Sequence, residues 1–271
     1  MRGKESSGAA IAKASLGVPG LARFAPYLSR LSARSALYTD LRLLLDDRST
    51  PLASERYRSL VLDKNCLSRG SASARRKLWK ELHARYRLDA ADPLFSAFWI
   101  EWLRSASEPE RSLTAYILFA LNDRLVADLG TDCLFPLLRR APADLRVEEV
   151  TAFLKRAAGS RHPEVARWSR KTTTAVAQKY CASIRDFGLA KGSVRKVTVR
   201  PALYGAPVRL LVRALRMTGI PSLALVRAPI FRLLGVDNFE VVDALGELNS
   251  QGALRFRIQG DVVELDLPEA A

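Results

Sequence analysis

Between positions 69 and 87 the chain places Arg69, Arg75, Arg76, Lys77, Lys80, His83, Arg85 and Arg87 against a single acid, Glu81. Guanidinium and ammonium groups at this density suit one chemistry above others: charge-assisted hydrogen bonds to phosphate oxygens. Wound as a helix, Leu78, Trp79, Leu82 and Tyr86 form an apolar stripe. Arg76, Lys77, Lys80, His83 and Arg87 fall opposite it, and Arg75 and Arg85 flank it. A face built only for solubility mixes signs, because Glu–Lys pairs four residues apart add about 0.2–0.5 kcal/mol each. Here Arg76 and Lys80 repel at that spacing, which bound phosphates would offset; a solvated basic face is the alternative. Ser71 or Ser73 can cap this helix. The preceding "ASERYRSLVLDKNC" leads into it through "LSRGS", giving helix–turn–helix spacing over 53–87.

A second set of candidates lies in 141–204. "VEEVTAFLKRAAG" reads as a helix, "SRHPEVARWSRK" as another with Pro163 at its first position, and "TTTAVAQKYCASIRDFGL" as a third capped by Thr172. Val176, Ala177, Tyr180, Ile184 and Phe187 should face the core, leaving Thr174, Gln178 and Arg185 outside. A Gln on such a face can bond adenine through two hydrogen bonds. Lys191, Arg195, Lys196 and Arg200 follow with no acid between them, suited to a basic wing that grips backbone. A winged-helix unit used for protein contacts is the competing reading. Trp168 is expected to pack.

Periodicity predicts the helices that carry these groups: 36–46, 53–66, 73–87, 93–105, 111–129, 133–140, 147–158, 163–170, 172–187, 206–218, 223–234 and 238–250. Two stretches change rhythm. "SVRKVTVRPAL" alternates, and "ALRFRIQGDVVELDL" reads as a hairpin turning at Gln259-Gly260-Asp261. The fold class is therefore mainly α, multi-helical, with helix–turn–helix or winged-helix units and two small β-hairpins. Four regions are expected: a basic, poorly ordered arm over 1–35 that can end in a short helix near Leu21–Leu31, a helical domain over 36–140, a winged-helix-like unit over 141–204, and another over 205–271. In the last, Asp237 and Glu240 form a capping-box pattern. The helix they open would display Glu240, Asp243 and Glu247, which repel phosphate and suit a protein partner or a bracing role.

The 271 residues carry 43 Lys and Arg against 28 Asp and Glu, a formal charge of +15. From Gly205 onward seven bases meet eight acids, so the whole excess belongs to the first three quarters. That excess points to a polyanion, nucleic acid or an acidic membrane surface. Uncharged stretches such as "SLTAYILFALN" are about half the length of a membrane span, so no membrane insertion is expected. Cys66, Cys133 and Cys181 are scattered and odd in number, which fits a reducing cytoplasm. His83 and His162 cannot assemble a metal centre with cysteines so dispersed, and both are expected at the surface. No phosphate-binding GxxxxGK[ST] loop occurs, and no Glu-x-Lys or Asp-x-Lys of a metal nuclease. Catalysis, metals and cofactors are not expected.

The stretches "DKNCLSRGSASARRKLWKEL", "EVARWSRKTTTAVAQKYCASIRDFGLA" and "RKVTVRPAL", in this order, resemble the BrxA proteins of bacterial BREX (bacteriophage exclusion) systems over roughly residues 36 to 204. The resemblance implies a nearly all-helical fold with two helix–turn–helix elements, double-stranded DNA binding without nuclease activity, and a methyltransferase and an ATPase among the possible partners. By position it places Arg69, Arg75, Arg76, Lys77 and Lys80 on the DNA side. In the second unit it places Lys171, Thr172, Thr174, Gln178 and the wing bases there. It does not require the region after 204. The expectation is a monomeric, cytoplasmic, non-catalytic DNA-binding accessory protein. An RNA-binding module and a protein-only adaptor are the rivals.

Overall fold

The computed structural model describes residues 18–46 and 48–268. Its helices begin with α1 Tyr38–Leu45, α2 Ser54–Leu62, α3 Ala72–Tyr86, α4 Pro93–Arg104, α5 Glu108–Leu121, α6 Arg124–Asp128 and α7 Phe135–Arg139. Then come α8 Val147–Ala158, α9 Arg170–Asp186, strands β1 Ala190–Lys191 and β2 Val197–Thr198, α10 Gly205–Met217, α11 Ser222–Val226 and α12 Asn238–Ser250. Strands β3 Arg255–Gln259 and β4 Val262–Asp266 close the chain. The mainly-α class with two small antiparallel hairpins is what the structure holds.

The core is built around α5, which is buried on every side from Ser112 to Leu121, as a helix apolar around most of its circumference must be. Helix α4 packs on it and buries Phe95, Phe98, Trp99 and Trp102, whose rings lie 5.5–6.3 Å apart in pairs three or four residues apart along the helix. Truncating Phe98 to Ala would cost about 3–5 kcal/mol on the usual scale for buried aromatics. Helix α10 lies against both α4 and α5. It contributes Arg209, whose Nε donates to Glu101 Oε2 at 2.8 Å, while Arg213 Nε donates to Oε1 at 3.1 Å. The C-terminal region is thus anchored to the central helices rather than appended to them.

Several elements are shorter than periodicity suggests, each for a local reason. Helix α2 stops at Leu62, because Asn65 and Ser68 take positive φ (50° and 53°) in the turn that follows. The 111–129 pattern divides at Asn122, where Asp123 Oδ1 accepts from Leu125 and Val126 N–H and opens α6. Residues 163–167 form a 3₁₀ turn, and 223–234 divides into α11 and a 3₁₀ turn at Pro229–Leu234, where proline removes a donor. The alternation of 193–203 is mostly not strand. Pairing runs Ala190↔Thr198 and Lys191↔Val197, and Asp144 adds a bridge to Val197. Gly192 (φ 96°) makes this turn possible, since a Cβ there would stand 2.0 Å from the Arg195 carbonyl oxygen. The second hairpin forms as expected but turns on Gly260-Asp261 alone, because Gln259 still pairs with Val262.

The poorly ordered arm proposed over 1–35 needs correction where it can be seen; residues 1–17 lie outside the described residues. Val18, Tyr27 and Leu31 are buried, and Gly20 sits so close to α5 that a Cβ would meet the Ala120 carbonyl oxygen at 2.2 Å. The expected surface position of His162 is also corrected. Its ring stacks on Tyr27 at 3.5 Å between centroids and it is 5% exposed. Its Nδ1 lies 3.0 Å from Glu164 Oε1, and the Tyr27 hydroxyl donates to Asp128 Oδ2 at 2.7 Å. Glu164 at one ring nitrogen, with Asp128 3.9 Å from the other, makes the burial tolerable.

Candidate nucleic-acid interface

Helix α3 begins where Ser71 Oγ accepts from Ala74 N–H at 3.1 Å, which settles the choice between Ser71 and Ser73. Leu78, Leu82 and Tyr86 are buried and Trp79 half-buried, so the apolar stripe faces the core. Arg76, Lys77 and Lys80 are exposed and have no ion pair with any described residue. These three form the uncompensated line on α3.

Other members of the same sequence run are differently placed. Arg69 is half-buried and ion-paired with Asp40, and its backbone N–H donates to Asn65 Oδ1 at 2.7 Å. Arg75 is half-buried, with its Nε enclosed. Arg87 closes the helix in the left-handed region (φ 49°) and pairs with Asp92. His83 is the clearest departure. It is half-buried and stacked on Trp79 at 5.1 Å, and burial pushes its pKa below the ordinary value. At neutral pH it is a neutral imidazole, not a fourth cation of the line. Arg85, read as flanking, is 4% exposed and pairs with Glu81. It also donates to the carbonyls of Ser35 at 3.0 Å and Arg34 at 2.8 Å.

That last contact links the two basic regions. The Ser29–Ser32 turn packs on α9, and Arg85 of α3 grips the backbone just beyond it. Sequence reasoning missed this brace because nothing in an Ala-, Ser- and Arg-rich segment announces it.

Helix α9 starts at Arg170, two residues before the predicted cap. Ser169 is the cap, accepting from Thr172 N–H at 3.1 Å, and the Thr172 hydroxyl lies 2.9 Å from Ser169 Oγ. Val176, Ala177, Tyr180 and Ile184 are buried as expected, and Phe187 lies with them. Lys171 and Gln178 are exposed and without an ion pair or side-chain hydrogen bond to any described residue. Thr174 is half-buried and lines a groove of about 830 Å³ between α8 and α9 with Val147, Thr151 and Trp168. Arg185 is exposed and bonded to Asp186 at 2.9 Å. Arg167, Arg170 and Lys179 are exposed cations beside this face that sequence reasoning did not single out.

The wing is less bare than its local sequence implies. Lys191 is exposed and has no ion pair among the described residues, and Lys196 Nζ donates to the Ser193 carbonyl at 3.0 Å. Arg195, however, pairs with Asp144 and Arg200 with Glu240. Both acids come from remote segments, so the expectation of an acid-free wing is corrected. Glu240 also pairs with Arg139 and completes the α12 capping box with Asp237. Of the three acids expected on display there, only Asp243 and Glu247 stand exposed.

Among the described residues no group of three or more His, Cys, Asp or Glu could hold a metal ion. Burial pushes the Cys133 thiol up to about 11 and Cys181 to about 12, so both are poor nucleophiles at neutral pH. Among the described residues no helix is long and apolar enough to cross a membrane.

The architecture is thus that of a mainly helical protein carrying exposed cations on α3 and α9. A family model, BrxA, matches residues 25–214, and the chain belongs to the BrxA family. Membership makes it a component of BREX phage-defence systems. No curated protein matches the chain significantly.

Proposed function

We propose that this protein is a non-catalytic, double-stranded DNA-binding accessory subunit of its defence system, acting as a cytoplasmic monomer. The observation that carries the reading is the line of exposed, uncompensated cations on α3: Arg76, Lys77 and Lys80. Like charges at this spacing disfavour the isolated helix, and neutralised phosphates reverse the sign through counterion release. In this reading α2, the 63–71 turn and α3 form the first helix–turn–helix. The second is a winged helix, made by the bridge residue Asp144, α8, the 163–167 turn, α9 and the β1–β2 hairpin. Lys171, near the N-terminus of α9, and Lys191, on the wing, hold backbone phosphates. Gln178 on the outer face of α9 approaches base edges. Arg195 and Arg200 join only by exchanging their carboxylate partners for phosphates.

The test is a competition of labelled random-sequence duplex DNA against unlabelled duplex DNA and duplex RNA of equal length at about 50 mM salt. The reading expects retardation that DNA displaces more efficiently than RNA. Preferential displacement by RNA would favour an RNA-binding module. Absence of any shift would favour a protein-only adaptor.

A further inference from the structure

Helix α12 lies beyond residue 214, where the BrxA match ends. Its inner side is satisfied, with Val241, Ala244, Leu245 and Leu248 buried. The opposite side carries Phe239, Asp243, Gly246 and Ser250, all exposed and within a sector of about 60° at 3.6 residues per turn. Glu247 flanks that line on one side and half-buried Val242 on the other. Phe239 is 84% exposed. The helix contains no Lys or Arg, and neither Asp243 nor Glu247 has an ion pair with any described residue. Its third acid, Glu240, is already engaged by Arg139 and Arg200.

Two of these residues are unfavourable in the isolated protein. The Phe239 ring leaves its apolar surface in water. Glycine inside a helix is destabilising relative to alanine, and internal packing does not call for it at 246. A Cβ there would meet nothing within 4 Å. What Gly246 does provide is bare backbone that a partner can approach closely from outside. A matching partner brings apolar side chains to Phe239 and Val242, crosses closely at Gly246, and presents cations to two acids four residues apart. From that match we infer that α12 docks a basic amphipathic helix of another protein. Its Lys or Arg residues pair with Asp243 and Glu247, and its apolar side covers Phe239.

Charge selects this occupant over others. Asp243 and Glu247 repel the phosphates of nucleic acid and of anionic lipid headgroups alike. A two-fold contact between α12 helices of two copies would bring the same carboxylates together. Helix α3 of a second copy offers Arg76 and Lys80, but its Leu78, Leu82 and Tyr86 are buried and cannot cover Phe239. The inference stands apart from duplex binding, which uses α3 and α9.

Fluorescence anisotropy of the full chain tests this with a labelled synthetic peptide spanning about five helical turns, Leu on one helical face and Lys on the other. One control has the same composition scrambled to remove that face, and another has Glu in place of Lys. The Leu–Lys peptide should bind saturably and less tightly as salt rises, with both controls weaker by about tenfold or more. Phe239→Ala should weaken binding about tenfold or more, as loss of an aromatic anchor does. Asp243→Asn with Glu247→Gln should weaken it and flatten its salt dependence. Gly246→Gln should weaken it while melting at or above the wild-type temperature, because the longer side chain obstructs approach but favours the helix. Peptide binding no tighter than that of the scrambled control overturns the inference. So does binding that the Phe239 and acid variants leave unchanged. Loss of duplex DNA affinity in Phe239→Ala would assign the face to nucleic acid, and self-association abolished by that substitution would assign it to a second copy; either overturns the inference. Peptide binding that follows these variants supports it even where duplex binding fails, a failure that would remove the proposed function alone.

Discussion

Arg195 donates to both carboxylate oxygens of Asp144, at 2.7 and 3.2 Å, across 51 residues of chain. Asp144 also accepts from Arg146 at 3.0 Å, and its backbone bridges to Val197 of the wing. These guanidinium hydrogen bonds hold its carboxyl below the usual carboxylate range. The wing is therefore positioned and partly neutralised by one acid.

Replacing that acid separates the two roles. Asp144→Asn keeps the backbone bridge but removes the charge, leaving Arg195 available to phosphate. Duplex affinity should rise, and the slope of log K against log salt should steepen by up to about one unit. Filter binding at several salt concentrations measures both. An unchanged slope would place the wing away from the duplex.

The Glu101 carboxylate is fully buried and neutralises Arg209 and Arg213 of α10. Glu101→Ala leaves buried guanidinium charge without its partner, which should destabilise the fold by about 3–5 kcal/mol. Arg213→Ala removes a less buried arm of the network and should cost distinctly less. Urea denaturation of both variants checks the ranking. A Glu101→Ala protein of wild-type stability would mean that α10 is not anchored by this pair.

The contrast between these pairs and α3 explains what could be read from sequence. The α3 line was legible because helical periodicity alone separates Arg76, Lys77 and Lys80 from Leu78 and Leu82. The β3–β4 hairpin was legible because Gly260-Asp261 is turn chemistry between apolar, alternating flanks. The pairings Arg195–Asp144 and Arg200–Glu240 were not, because the partners are 51 and 40 residues apart and only the fold brings them together. The burial of His162 depended on Tyr27, which lies in a segment whose composition resembles a tail. Gly20 gave no signal, because close backbone approach to α5 exists only in three dimensions.

His83 provides a pH signature. Burial lowers its pKa in the folded state, and the nearby Arg87 acts in the same direction, while Asp89, Asp92 and Glu55 oppose them. The unfolded chain, with its imidazole near about 6.5, takes up the proton first as pH falls. The contribution of this group to stability is thus complete above that value and lost as pH drops below it. Wild type should lose more stability between pH ~7 and ~5 than His83→Gln, whose side chain does not titrate. Chemical denaturation at the two pH values gives the difference. Equal losses would show that His83 is solvated in the folded state.

The salt dependence of duplex affinity, measured for the wild type and for Arg76→Ala with Lys80→Ala, bears most directly on phosphate recognition by α3. A grip on about six to ten phosphates predicts a 10³–10⁵-fold loss of wild-type affinity between about 50 and 200 mM salt. The double variant should bind more weakly with a slope shallower by about two units, while melting at the wild-type temperature. A folded double variant with the affinity and slope of the wild type would contradict the account.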